Sequence, residues 1–143
     1  MGCITNGMSG DGLCDYEALK EAGCICISDD GRPVENAEMM RKALELSKEN
    51  GLLVASHCED LSIINGGIIN KGETSEKLGV KGMDRASEDY ITAREMILAA
   101  SVGAHIHICH VSTEGSAAMI RFAKSRGVNV TCETAPHYFM LTD

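Results

Sequence analysis

The stretch His105–Thr113, HIHICHVST, decides the fold. Its apolar run reads as a strand, Ser112 or Thr113 can cap a following helix, and His110 stands at the junction. Two other segments repeat this arrangement. Leu52–Asp60, LLVASHCED, places His57 at a strand's end, and Cys24–Gly31, CICISDDG, places Asp29 and Asp30 there. In a barrel of parallel strands the C-terminal strand ends share one face, so ligands far apart in sequence can converge. Working outward, a helical pattern, a glycine and a short apolar run recur four times: EALKEAG before CICIS, ALELSKENG before LLVAS, ILAASVG before AHIHIC, and RFAKSRG before VNVTC. Gly23, Gly51, Gly103 and Gly127 fit the position just past a helix, where a left-handed backbone turns the chain into the next strand. Helix alternating with strand at this rhythm predicts βαβ units and a parallel sheet.

Between these units the pattern is less regular. Cys3–Thr5 reads as a possible additional strand and Asp15–Glu21 as a short helix. A helix from Ala37 to Asn50 is expected to turn Met40, Ala43, Leu44 and Ser47 inward. The segment from Glu59 to Arg85, rich in Gly, Lys and Glu, departs from the rhythm, and a loop of that length is expected to shape a site. Ser87 is expected to cap the next helix, which runs to about Ser101 with Tyr90, Ala93, Ile97 and Ala100 towards the sheet. The pattern contains four strands besides Cys3–Thr5. A closed eight-stranded barrel takes about 250 residues, so 143 residues form either a complete open sheet or the central piece of a barrel.

Composition narrows the function. A formal net charge of −8 with scattered Lys and Arg argues against a general nucleic-acid binder and against an anionic membrane surface. No apolar run approaches the roughly 18 residues that cross a bilayer, and MGCITNGMSG lacks the features of a signal peptide, so the expected location is the cytoplasm. Seven cysteines, an odd number without regular spacing, make a poor disulfide framework, and Cys24, Cys26, Cys109 and Cys132 are expected to be small buried hydrophobes. Two Phe, three Tyr and no Trp leave no stacking platform for single strands. No phosphate-binding glycine loop occurs. Cys109 beside His110 does not make a nucleophile pair, because strand neighbours point to opposite faces.

The remaining chemistry is metal chemistry. Asp30 (or Asp29), His57 and His110 offer carboxylate and imidazole donors that suit zinc and similar divalent ions, with one position left for water. The plainer alternative, histidines that only cap helices or tie loops, is weakened by the repeated strand-end placement. His105 and His107 form an HxH pair but share a face with Cys109, opposite Ile106, Ile108 and His110, so His107 is expected to be a buried hydrogen-bonding residue behind the strand. His137 has no assigned partner.

ISDDGRPV, SHCED, CHVSTEGS and TCETAPHYFMLTD, in this order and spacing, resemble the middle of a class I dihydroorotase of the amidohydrolase superfamily. The resemblance extends over nearly the whole chain, including ARE at Ala93–Glu95. It implies a partial (β/α)8 barrel, a single incomplete barrel domain over residues 1–143 covering roughly strands 3 to 7. It further implies Asp30 as the metal-bridging carboxylate, His57 and His110 as ligands of the more buried metal, and two Zn2+ per complete site. The implied reaction is the reversible interconversion of N-carbamoyl-L-aspartate, a small-molecule substrate, and dihydroorotate. Dihydropyrimidinase and allantoinase carry a carboxylated lysine at the bridging position, and ISDDG has none. The family's HxH motif with its adjacent arginine and its acid/base aspartate are expected beyond the two ends, so no catalytic residue is assigned. The isolated chain is therefore expected to lack turnover and to hold at best one weak metal site. Open strand edges are expected to make it aggregate or pair with another chain, and homo-oligomerisation stays open. The rival reading is a self-contained doubly wound α/β module that binds a small ligand without catalysis.

Overall fold

A computed structural model describes residues 1–141. Thr142 and Asp143, which end the TCETAPHYFMLTD stretch, lie outside the described residues. In chain order, α1 (Tyr16–Glu21) leads to β1 (Cys26–Ile27), α2 (Ala37–Glu49) to β2 (Leu53–Ser56), and α3 (Leu61–Ile64) to β3 (Ile69–Asn70). Then come α4 (Glu73–Leu78), β4 (Gly82–Met83), α5 (Ala86–Val102), β5 (Ile106–Ile108), α6 (Glu114–Ser125), β6 (Val130–Cys132) and α7 (His137–Met140). The main sheet is parallel throughout, in the order β1-β2-β5-β6.

That order never reverses, and the helices pack on one side. Ile27, Val54, Ile106, Ile108 and Val130 are buried on the helix side against Met40, Ala43 and Leu44 of α2, Ile91, Met96 and Ala99 of α5, and Ile120 and Ala123 of α6. Cys26, His107, Cys109 and Thr131 alternate with them onto a face that stays partly or fully open. A doubly wound sheet has a strand-order reversal and helices on both faces. A one-sided arc in chain order is instead a sector of a (β/α)8 barrel, with the open face as its interior.

The helix stops are as expected: Gly23, Gly51, Gly103 and Gly127 have φ of 86, 61, 66 and 79°. The inward face of α2 is Met40, Ala43, Leu44 and Ser47, also as expected, and Asn36 accepts a hydrogen bond from the Met39 amide at 2.9 Å to start it. Other expectations are corrected. Cys3–Thr5 forms no strand; Gly2 makes a parallel bridge with Ile27, and Thr5 an antiparallel one with Leu13. Helix α5 buries Ser87, Ile91, Thr92, Glu95, Met96 and Ala99, while Tyr90 and Ile97 are exposed, because its inward stripe is half polar and apolar periodicity selects the wrong face. Ser87 lies inside α5 rather than capping it, and its hydroxyl donates to the Asp60 carbonyl at 3.1 Å. Cys26 and Cys109 are partly exposed because they occupy open-face positions, Cys24 is partly exposed just before β1, and Cys132, on the helix side with Ile108 and Val130, is exposed at the end of the outermost strand; Cys58 is the buried cysteine. No helix among the described residues is long and apolar enough to cross a membrane.

The Glu59–Arg85 segment is not a bare loop. Strands β3 and β4 pair in parallel across α4. Gly67 makes this ribbon possible, because a Cβ there would lie 2.6 Å from the Met83 nitrogen and 2.7 Å from the Gly82 carbonyl carbon. Backbone cannot give way as a side chain would. Gly67→Ala is expected to open the ribbon at a cost of about 1–3 kcal/mol. Hydrogen exchange should then speed up at the Ile68 and Lys71 amides, which donate to Lys81 and Met83, and stay slow at Cys109, which donates to Ser56 in the main sheet.

Candidate metal centre

The two acidic residues after β1 have different tasks. Asp29, 3% exposed, accepts hydrogen bonds from the Ile4 amide at 2.8 Å, the Thr5 amide at 3.1 Å and the Thr5 hydroxyl, and so ties the N-terminal segment to the sheet. Asp30 faces the strand-end rim. Its Oδ1 lies 3.0 Å from His110 Nε2 and 3.3 Å from His57 Nδ1, and those two nitrogens are 2.9 Å apart. The hydrogen bond from His110 holds the Asp30 carboxyl below the usual carboxylate range, so the group is anionic at neutral pH.

His110 reaches this position by leaving the strand. Strand β5 ends at Ile108, and His110 has φ of 36°, in the left-handed region. Strand alternation therefore stops before it, and the ring swings to the rim instead of following Ile108 to the helix side. The Cys109 amide donates to the Ser56 carbonyl at 3.0 Å, which keeps the ends of β2 and β5 level. On the other side, His57 Nε2 lies 3.3 Å from Glu59 Oε2. A carboxylate at that nitrogen fixes the tautomer that leaves Nδ1 as the donor atom. Glu59 sits in the SHCED stretch but was not singled out by the sequence.

The donor set fits zinc. At Zn–N and Zn–O distances of about 2.0–2.1 Å, ligand atoms of a tetrahedral site stand about 3.3 Å apart. The three separations here are 2.9, 3.0 and 3.3 Å, all from nitrogen and oxygen donors.

Helix α5 braces each of the three strand-end loops. Glu88 accepts from the Ser112 and Thr113 amides, both at 3.1 Å, and from both hydroxyls, just beyond His110. Arg94 donates to the Val34 and Glu35 carbonyls at 2.7 and 2.9 Å, in the loop that follows Asp30. Glu95, fully buried, accepts from the Ser56 hydroxyl at 3.4 Å, one residue before His57, and from Arg94. Burial pushes the Glu95 carboxyl up.

Other candidates fall outside the centre. His107 is not behind the strand: it faces the open side, partly exposed, with Nδ1 2.8 Å from the Thr131 hydroxyl, which His105 also approaches at 3.2 Å. His137 is exposed on α7, its ring against Tyr138 at 4.3 Å. Cys109 is no nucleophile, because burial and the nearby Glu133 push its thiol up to about 11. A cavity of about 190 Å³ adjoins the rim, lined by His57, His110, Asn70, Arg85, Glu88 and Tyr138. Asn70 of β3 gives the Glu59–Arg85 segment its expected part in shaping the site.

A family model described as dihydro-orotase-like matches residues 1–116. A dihydroorotase of Trichlorobacter lovleyi is 56% identical over 143 residues, which is 100% of this chain and 34% of that protein. The chain thus spans about a third of the curated relatives it matches. Among solved structures, a D-hydantoinase superposes with a TM-score of 0.72 at 28% identity, over 89% of this chain and 29% of its own. The L-hydantoinase (dihydropyrimidinase) of Arthrobacter aurescens gives 0.74 at 18% identity, over 90% of this chain and 31% of its own, a likeness of fold alone.

Proposed function

The chain belongs to the dihydro-orotase-like family, and from that membership we propose that it is the central part of a dihydroorotase that interconverts dihydroorotate and N-carbamoyl-L-aspartate with zinc as cofactor. One observation carries the reading: Asp30, His57 and His110, from the ends of three different strands, bring their donor atoms within 3.3 Å of one another. Asp30, His57 and His110 would hold a zinc ion there, and the chemistry it would supply is a hydroxide at neutral pH and polarisation of a carbonyl oxygen. The protein's own contribution is placement. Glu59 takes the proton side of His57 and directs its Nδ1 inward, and the left-handed turn at His110 does the same for its Nε2. Asp30, anionic and with two oxygens, is the member of the set able to serve two ions. Proton transfer to and from the ring nitrogen is assigned to an aspartate expected from the last barrel strand.

The hydantoinase-like fold makes a hydantoin or allantoin hydrolase the second reading. An aspartate at the bridging position favours the first. The test is a substrate screen on the protein that carries this chain with both flanking regions. Ring opening of dihydroorotate and ring closure of N-carbamoyl-L-aspartate, both lost on chelation and restored by zinc, are the expected result. Preferential turnover of hydantoins or allantoin would overturn it.

A further inference from the structure

We propose that the open face of the sheet carries a second cation site, built from His107, Cys109 and Glu133, for a thiophilic divalent ion of the zinc type. One ligand atom from each lies within 4.8 Å of the others. His107 Nε2 is 3.7 Å from Glu133 Oε2. None of the three belongs to the Asp30–His57–His110 set, so the site stands whether or not that centre holds metal.

Three features make it more than a chance cluster. First, His107 Nδ1 is 2.8 Å from the Thr131 hydroxyl, its register partner on β6. That contact anchors one ring nitrogen and leaves Nε2 towards Glu133, the arrangement typical of a metal-bound imidazole. Second, the backbone is pinned on both sides of the cluster. The Cys109 amide donates to Ser56 at 3.0 Å, the Glu133 amide to Ile108 at 3.1 Å, and the Val111 amide to Glu133 at 2.8 Å. His107 lies on β5, and Cys109 and Glu133 directly follow β5 and β6 on backbone that is still hydrogen-bonded, which holds ligands more closely than a free loop does. Third, Zn–S of about 2.3 Å and Zn–N of about 2.0–2.1 Å call for donor separations of about 3.3–3.6 Å. His107 Nε2 and Glu133 Oε2, 3.7 Å apart, stand close to that, and Glu133, with 58% of its side chain exposed, has the freedom to adjust. Coordination replaces the Cys109 S–H proton, which passes to water, and leaves the fourth position to solvent.

The sulfur ligand distinguishes this site from the strand-end centre, whose donors are nitrogen and oxygen. Cobalt(II) added to the 143-residue chain should therefore give a near-ultraviolet thiolate-to-metal charge-transfer band. The band should vanish in Cys109→Ser and persist in His57→Ala. Thr131→Val, which frees the imidazole without removing a ligand, should weaken cobalt binding at this band by about tenfold or more. Glu133→Gln should weaken it as well; Glu133 and Thr131 are exposed, so both variants should keep the native far-ultraviolet circular dichroism. No band at saturating cobalt overturns the proposal. So does a band that survives Cys109→Ser, or one unaffected by both Thr131→Val and Glu133→Gln.

Discussion

His57→Ala is expected to abolish measurable zinc binding at the strand-end centre. The substitution leaves only Asp30 and His110, whose donor atoms are 3.0 Å apart, and opens the side that Glu59 braced. Loss of a residue that only orients a ligand costs about 10–100-fold in affinity. Loss of the ligand itself should exceed that range, whereas Glu59→Gln should fall within it. Calorimetric zinc titration in a Cys109→Ser background, where sulfur ligation cannot mask the change, gives the comparison. Equal affinity in His57→Ala and its parent would remove His57 from the centre.

Arg94→Ala is expected to be among the most destabilising single changes in the chain. Arg94 reaches the Glu95 carboxylate at 2.5 Å and two carbonyls of the loop after Asp30, and its side chain is 12% exposed against 0% for Glu95. Removing one member of a buried pair leaves the other charge uncompensated, at about 3–5 kcal/mol. The loss should depend on pH. Burial raises the folded-state pKa of Glu95 above its unfolded value, and Arg94 opposes that rise. Without Arg94 the rise is larger and the folded chain holds the Glu95 proton more strongly than the unfolded chain. This stabilising contribution is complete below the unfolded pKa of about 4.3, and is lost as pH climbs towards the folded value. Urea midpoints should thus fall more steeply with rising pH in Arg94→Ala than in its parent. Parallel midpoint curves would show that Glu95 does not depend on Arg94.

Much of this was legible in the sequence because the signals are local. A glycine after a helical run specifies a left-handed stop, and all four such glycines adopt it. The α2 face follows from apolar spacing alone. The strand-end placement of His57, His110 and the acidic pair follows from the same rhythm, and so does the parallel sheet. What failed was non-local or polar. The burial of Glu95 and Thr92 is decided by partners on β2 and α6, Ser56 and Ser116, which no helical period contains. The turn at His110 ends a strand parity that the sequence pattern carries through it, so alternation groups the ring with Ile106 and Ile108 although it stands at the rim. Apolar neighbours suggest buried cysteines, although in a one-sided sheet alternate positions such as Cys26 and Cys109 face out.

The acidic pair after β1 also bears on how variants of this protein are to be scored. Two adjacent and identical letters carry separable information: Asp29 secures the N-terminal segment through Ile4 and Thr5, and Asp30 meets the two histidines. Substitution at the first is expected to lower the amount of protein, and substitution at the second to lower metal binding per molecule. A growth selection that reads only their product ranks the two alike; paired with an abundance readout, it separates a foundation from a tool.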